Sequence, residues 1–520
     1  MKPARLQPPA ANFGVAAKPS LAQFSAALTA NTPLPSPFHE LRCQAQREAL
    51  AAAEAFHREL LLLPGETRPA GLLLTGHQPE LFHPGVWSKN FVLAELARRH
   101  GLTPIHLVVD ADVVKAAGLR VPDLREPPGK VSLVPFDTEE IGMPYEAFRC
   151  QNRQRLASFP QRVAAHLAGV EGRPLLQDFW PRVLRFLEPA QCRLGDAFVA
   201  ARHQLEVEWG VNNWELPLRR LCVTPSFARF LGLVVERPAE FQQHHNAALA
   251  EFRRRHRLRS RVHPAPDLIE RAGTWEVPFW SWQTGEGIRH RLFVRPAAGR
   301  LELGIWSDGW RSLPVSWPSH AAAQAEALAE LARAGWQVRS RALTTTLFAR
   351  LFLGIGFIHG LGGGLYDEAT DALMVAFFQV QPPPYLSLTA TLRLRVTGCS
   401  DAAQRLRSCT HRLWEGRWHA EKFLAASPAS AELAAAKRAW LTRQPQTRAE
   451  RRERCRRLKE INRQLAELAA PLSHAWRMEL EQAQAAAHFD KLCRERDWSF
   501  VLHDAEDLQR LMACVGKSEG

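Results

Sequence analysis

The sequence is short of several features that would declare a function outright. Its nine cysteines are dispersed, with no Cys-x-x-Cys pair. That argues against a zinc ribbon and a disulfide framework, and fits a reducing compartment. No uninterrupted apolar run approaches the ~18 residues that span a bilayer, and the opening stretch MKPARLQPPAANFGVAAKPS lacks the apolar core of a signal peptide. A soluble, cytoplasmic protein with no membrane partner is therefore expected. Tyrosine is scarce, at three residues against 16 Trp and 26 Phe, and aromatic packing is the use expected for the latter two.

What is present is ordinary in bulk and uneven in charge. The 520 residues, 46% hydrophobic and 23% charged, allow two to four domains or one large domain with insertions. The net charge of +14 comes mostly from arginine, clustered at Arg253 to Arg255, Arg257 to Arg261 and Arg448 to Lys459. Such clusters suit anionic partners, but on helices they more often form a solvated face.

The most informative stretch runs from Gly71 to Lys115. Leu72 to Leu74 is an apolar run that breaks at Thr75-Gly76, and a loop rich in His, Gln, Pro and Gly follows. Val86 to Ala97 is amphipathic and stops at Gly101; Ile105 to Val109 then ends in Asp110-Ala111-Asp112. That is strand, loop, helix and strand, with a C-terminal glycine closing the helix. A parallel βαβ unit is predicted, and parallel sheets bind ligands outside the carboxyl ends of their strands. Gly76, His77, Gln78, His83, Asp110 and Asp112 would share that edge. The helix start after Pro84 offers free N–H groups for an anion, with Lys89 nearby. The same residues also fit a plain turn, with Pro84 in the first helical turn and Gly76 at a positive φ.

Residues 1–40 read as a loose Pro- and Ala-rich arm, and 41–400 as an α/β core. Within the core, a helix is expected over Phe38 to Leu63 and a lone strand at Val131 to Phe136. The segment 151–260 reads as a helical insertion, and 272–315 as a β-rich one with a hairpin turn at Gln283 to Gly287. Asn212-Asn213 suits a turn, with Asn213 a candidate substrate contact. A second informative stretch brings an apolar segment to His359, then Gly360 to Gly364, then a helix with early acids. Gly360, Gly362 and Gly363 could let a phosphate or carboxylate approach the backbone. The run lacks the Gly-Lys-Ser/Thr of a P-loop, and a packing or hinge role is equally open.

Residues 401–490 turn to Ala, Arg, Leu and Glu, with Leu458, Ile461, Leu465 and Leu468 at heptad spacing and Leu472 beyond Pro471. A helical coiled-coil arm is predicted, with homodimerisation as its use. It does not interleave aromatics with its basic residues, which argues against nucleic acid. Residues 491–520 return to the core, with Trp498 to His503 expected as a last strand and a helix from Ala505 to Cys514.

The order of these features resembles the bacillithiol-biosynthesis family, the cysteine ligases that add cysteine to glucosaminyl-malate. Thr75-Gly76-His77-Gln78 stands where that family has a Thr-Gly-Gln-Gln loop. Asp110 and Asp112 stand at its Asp-x-Asp, and Gly360 to Gly364 at its late glycine-rich turn. The resemblance implies a Rossmann-like, nucleotidyltransferase-like core and a C-terminal coiled coil. The chain departs from the pattern at His77, Ala111, Lys115 and Gly364, and lacks an arginine near Pro384 to Thr389.

The function expected is a ligase or transferase joining cysteine, or a similar amino compound, to a small amino-sugar-type metabolite in low-molecular-weight thiol synthesis. His77 would serve in acid–base work. Asp110 and Asp112 would hold a substrate amine or hydroxyl, or a Mg²⁺ bridging to a nucleotide phosphate. Lys89 would hold a carboxylate or phosphate. No cofactor is named by the sequence, and no set of protein metal ligands is expected. The competing reading is a non-catalytic dimer that keeps a small anion in the crevice or binds RNA along its basic arm.

Overall fold

The computed structural model describes residues 13–30, 34–125, 127–137, 142–188, 192–297, 300–396, 402–425 and 427–517. At its centre is a six-stranded sheet made of β1 (Phe13–Lys18), β2 (Leu72–His77), β3 (Thr103–Val108), β4 (Trp214–Pro217), β5 (Gly354–His359) and β6 (Tyr385–Leu392). The strands lie in the order β1-β6-β5-β2-β3-β4. Five are parallel, and β1 pairs antiparallel with β6 at one edge. The parallel set grows outward from β2 in both directions, so the connections diverge between β2 and β5.

Each face of this sheet has its own core. Leu72 and Leu74 of β2, with Ile105 and Leu107 of β3, face helix α1 (Ser36–Glu59), which presents Leu41, Ala45, Ala49 and Ala53. The four-residue spacing of those alanines puts them on one helix face and brings its backbone close to the strands. Leu73, between Leu72 and Leu74, points the other way, with Ile358, Leu386 and Leu388, onto helix α2 (Pro84–His100) and its Trp87, Leu93 and Leu96. Each fully buried leucine contributes roughly 1.5–3 kcal/mol. A strand buried on both faces needs such a continuous apolar run. The helix start is fixed by His83, whose Nδ1 accepts from the Gly85 N–H at 3.1 Å, and its end by Gly101 at φ 65°.

A second, antiparallel sheet is built from Thr274–Gln283, His290–Ala297, Arg300–Trp306, Trp310–Trp317 and Trp336–Ser340. It joins the α1-side core through Val277, Phe279, Leu292 and Val338. The hairpin turn at Gln283 to Gly287 falls where the sequence placed it, and the strand at Lys130–Pro135 matches the one expected there. That strand is not alone: Gly118–Asp123, which the sequence pattern does not predict, pairs with it antiparallel.

Several expectations are corrected. The supposed loose arm is ordered from Phe13: β1 extends the sheet, and the helix Leu21–Thr29 begins with a capping box between Ser20 and Gln23. The part of that arm before residue 13 lies outside the described residues. Trp498 to His503 is a short 3-10 turn at Phe500–Leu502, where the Phe500 N–H donates to the Phe82 carbonyl at 2.8 Å. The final helix is longer than expected, reaching Lys517. Among the described residues, 402–493 form four α-helices, Ala402–Trp418, Pro428–Thr442, Arg448–Leu468 and Ala470–Cys493, with a 3-10 turn at Ala420–Lys422. The first packs on the last and the second on the third. Ile461 and Leu465 enter a small core with Ala420 and Ala469, but Leu468 and Leu472 are exposed. The heptad pattern is therefore used for packing within this segment, and a coiled coil is not shown. Pro471, in the first turn of the last helix, starts a new helix there. Among the described residues, no helix is long and apolar enough to cross a membrane.

Candidate functional site

The carboxyl ends of β2, β3 and β5 meet where the connections diverge. Thr75 ties the two central strands, its Oγ1 donating to the Ile358 carbonyl at 2.7 Å. Beyond it, His77 ends β2, opposite Val108 of β3. Its Nδ1 lies 3.2 Å from the Gln78 carbonyl, and its ring meets Phe82 edge-on at 5.1 Å. Burial, and then the Lys89 ammonium, hold its pKa well below the ordinary histidine value. The ring is neutral at neutral pH and is a poor proton donor.

Lys89 takes over that part of the range. It is buried one turn into α2, with Nζ donating to the Gly76 carbonyl at 2.8 Å. Burial first, and the Arg202 charge second, bring its pKa down to about 7. An amine that titrates at neutral pH is suited to proton transfer or nucleophilic attack.

The two aspartates of the Asp-Ala-Asp run separate in role. Asp112 keeps partial exposure at the loop surface. Its Oδ2 accepts from Gln78 Nε2 at 2.9 Å, and its Oδ1 lies 3.3 Å from Arg289 Nη2. Asp110 is buried, and both of its oxygens are occupied by Arg219, one by the backbone N–H at 3.0 Å and the other by Nη1. Arg219 is shared with buried Asp196. Asp110 thus anchors the segment after β4, and nothing in its contacts leaves it free for substrate.

His83 is likewise committed as the cap of α2. A Cβ on Gly85 would come within 2.2 Å of the Ala390 carbonyl, so the helix start rests against β6. This accounts for His83-Pro84-Gly85 as local structure. Asn213 lies just before β4, at the amino end of the sheet. Its Nδ2 donates to the Asn90 carbonyl at 3.0 Å. It is buried away from the crevice, which corrects its assignment as a substrate contact.

The glycine-rich run does reach the edge. Gly360 caps the helix Leu361–Leu373, directly after β5. A Cβ on Gly360 or Gly362 would meet nothing within 4 Å, whereas one on Gly363 would sit 3.0 Å from His359 Nδ1. The sequence reading missed the importance of His359. Its Nε2 bonds Asp367 at 2.8 Å, and Asp367 is in turn held by Arg350 at 2.7 Å. Burial lowers the His359 pKa, Asp367 opposes that, and Lys89 adds to it. Asp367 lies eight residues after His359, in the second turn of the helix that the glycines open, so the signal in the sequence is the early acid after them. Asp367, an early acid of that helix, orients a histidine.

Two cavities flank the edge at which His77 and Asp112 lie. One, of about 380 Å³, is lined by His77, Glu80, His83, Lys115, Tyr145 and Asp497 among others. The other, of about 230 Å³, lies toward the second sheet and is lined by Gln78, Asp112, Trp280, Arg289, Arg341 and Thr345 among others. Arg289 and Arg341 both lie over the Trp280 ring, at 4.7 and 4.3 Å. Arg341 spends Nη1 on Glu276 at 2.7 Å, while its buried Nε and Nη2 have no partner. No family model matches the chain, and no curated protein matches it.

Proposed function

We propose that the protein is an enzyme with a Rossmann-like core that joins a small amino compound of the cysteine type to a polar, amino-sugar-type metabolite. The strand order, running outward from β2 on both sides, is that of doubly wound nucleotide-binding sheets, and their ligands lie at the divergence point. The observation that carries the reading is Lys89: a buried amine drawn to neutral pH beside His77, at the carboxyl ends of the strands. The Gly360 helix start supplies backbone donors for a phosphate or carboxylate. The unpartnered Arg341 nitrogens with Arg289 suit the carboxylate of an amino acid, and Asp112 with Gln78 its amine. A nucleotide with Mg²⁺ is the activating cofactor under this reading.

The test is a thermal-stability screen against cysteine, amino-sugar conjugates, nucleotides with and without Mg²⁺, and short RNA. A ligand at ~100 times its Kd adds about 2.7 kcal/mol. A raised midpoint with an amino acid or nucleotide, lost in both His77→Ala and Lys89→Met, is the expected result. A second reading, a non-catalytic binding protein, is favoured by the structural commitment of Asp110 and His83. It gains if only RNA, or nothing, raises the midpoint. Self-association is assigned to the four-helix segment, which exposes Trp414, Leu441, Leu468 and Met478; sedimentation of the full chain as a monomer would refute that assignment.

A further inference from the structure

Behind the crevice, between helix and sheet, lies a buried polar knot that includes Arg202, the charge next to Lys89. Helix α3 (Leu194–Glu208) runs along the sheet and projects Arg202, His203 and Glu206 inward. Strand β4 contributes Glu215, fully buried, and β3 contributes His106. Arg202 donates to Glu206 Oε1 at 2.6 Å and to Glu215 Oε2 at 2.7 Å. Trp87 and Asn90 also donate to Glu206 Oε1, at 2.6 and 2.7 Å, and His106 Nδ1 lies 2.7 Å from Glu215 Oε2. One oxygen of each glutamate is thus held by as many as three groups.

The other oxygens have nothing. Glu206 Oε2, Glu215 Oε1 and both ring nitrogens of His203 are buried without a hydrogen-bond partner. The Leu63 carbonyl near this site is taken by His57 Nδ1 at 2.7 Å. One ligand atom from each of His203, Glu206 and Glu215 lies within 4.8 Å of the other two, and His203 Nδ1 is 3.9 Å from Glu215 Oε1. A buried carboxylate oxygen or imidazole nitrogen left without a partner is costly, because nothing replaces its lost hydration. Here three residues that each carry such an atom lie together in one buried cluster.

We propose that His203, Glu206 and Glu215 bind a divalent first-row transition-metal ion. The ligand set, one imidazole and two carboxylates, suits Zn²⁺, Mn²⁺ or Fe²⁺ better than Ca²⁺, which prefers six to eight oxygens. His203 and Glu206 are three residues apart on one helix, the spacing that puts two ligands on one face. Arg202, Trp87, Asn90 and His106 act as the outer partners that fix both glutamates, as metal-binding carboxylates require. Three protein ligands leave a coordination position open for water. A cavity of about 680 Å³, lined by Leu62, Asp178, Gln204 and Glu208 among others, has His203 in its wall.

The experiment uses the full chain, stripped with a chelator and titrated with Co²⁺. Visible d–d absorption and the thermal midpoint are followed together, and metal content after Zn²⁺ or Mn²⁺ loading is measured by mass spectrometry. One equivalent per chain, a new absorption band and a raised midpoint are expected. Glu206→Gln and His203→Gln should each weaken binding by about 100-fold or more. Folding of each variant is checked by circular dichroism. Failure of the unmodified chain to take up any of the three ions overturns the proposal whatever the variants do, and means that water fills the knot. Uptake that persists in both folded variants overturns it as well.

Discussion

At the scale of single residues, the chemistry falls differently from what residue type suggests. Histidine is the side chain expected to titrate near neutrality, yet burial and a neighbouring ammonium push His77 far below that range, while burial brings Lys89 to about 7. The consequence for stability has a definite sign. Lys89 binds its proton less readily when folded than at its ordinary value of 10.5. Between these values the unfolded chain holds more protons, so stability rises with pH; below the folded value the penalty is full and flat. Lys89→Met removes that penalty. The stability of wild type minus that of the variant should therefore climb between pH 7 and 9, by up to ~1.4 kcal/mol per pH unit. Urea titrations at pH 7, 8 and 9 measure it, and a pH-independent difference would refute the placement of Lys89 as a buried amine.

At the scale of elements, two pairs of substitutions separate packing from open space. Gly85 lets the start of α2 touch β6, and its Ala variant would drive a methyl into the Ala390 carbonyl and the Thr389 hydroxyl. A loss of at least about 1–3 kcal/mol is expected. Gly362→Ala, which meets nothing, should be neutral or stabilise its helix by up to about 1 kcal/mol. Paired chemical denaturation curves give both values. In the four-helix segment, Leu465 is fully buried and Leu468 is 44% exposed. Leu465→Ala should cost roughly 2–5 kcal/mol of that segment's stability, and Leu468→Ala within about 0.5 kcal/mol. Equal losses at the two positions would restore the continuous heptad seam that the sequence suggests.

At the scale of the whole molecule, the four-helix segment leaves and rejoins the body at one place. The Ala402 N–H donates to Asp490 Oδ2 at 2.8 Å, so its first and last helices begin and end side by side. Beyond it, Trp498, Phe500, Leu508 and Leu511 are buried in the core on the α2 face of the main sheet. Replacing 406–485 with a short Gly/Ser linker should leave the thermal midpoint of the body within a few degrees, because a loop's closure cost grows slowly with length. Removing 494–520 should prevent cooperative folding, since it strips the α2-side core. Calorimetry on the two truncations decides: a body that melts normally without residues 494–520 would contradict the packing described.

How much of this was legible follows from where the information lies along the chain. The Leu72–Asp112 unit was readable because apolar periodicity, Pro84 and Gly101 are local signals of strand, helix start and helix end. The hairpin turn at Gln283 to Gly287 was readable for the same reason. By contrast, β1 and β4 are four- to six-residue strands whose only support is a neighbour far away in sequence. Asn213 and Asp110 looked available because polar residues beside apolar runs suggest a site, and only the fold supplies the Asn90 carbonyl and the Arg219 guanidinium that occupy them. Hydrophobic pattern and turn residues act over a few positions, so the parallel unit and the carboxyl edge at which His77, Gln78 and Asp112 gather are written in the local sequence. Which polar groups there are free, which are neutral and which are paired is set by the fold. Burial and Coulomb interaction depend on distance in space, and His203, Glu206 and Glu215 acquire a common centre only when helix α3 is laid against β4.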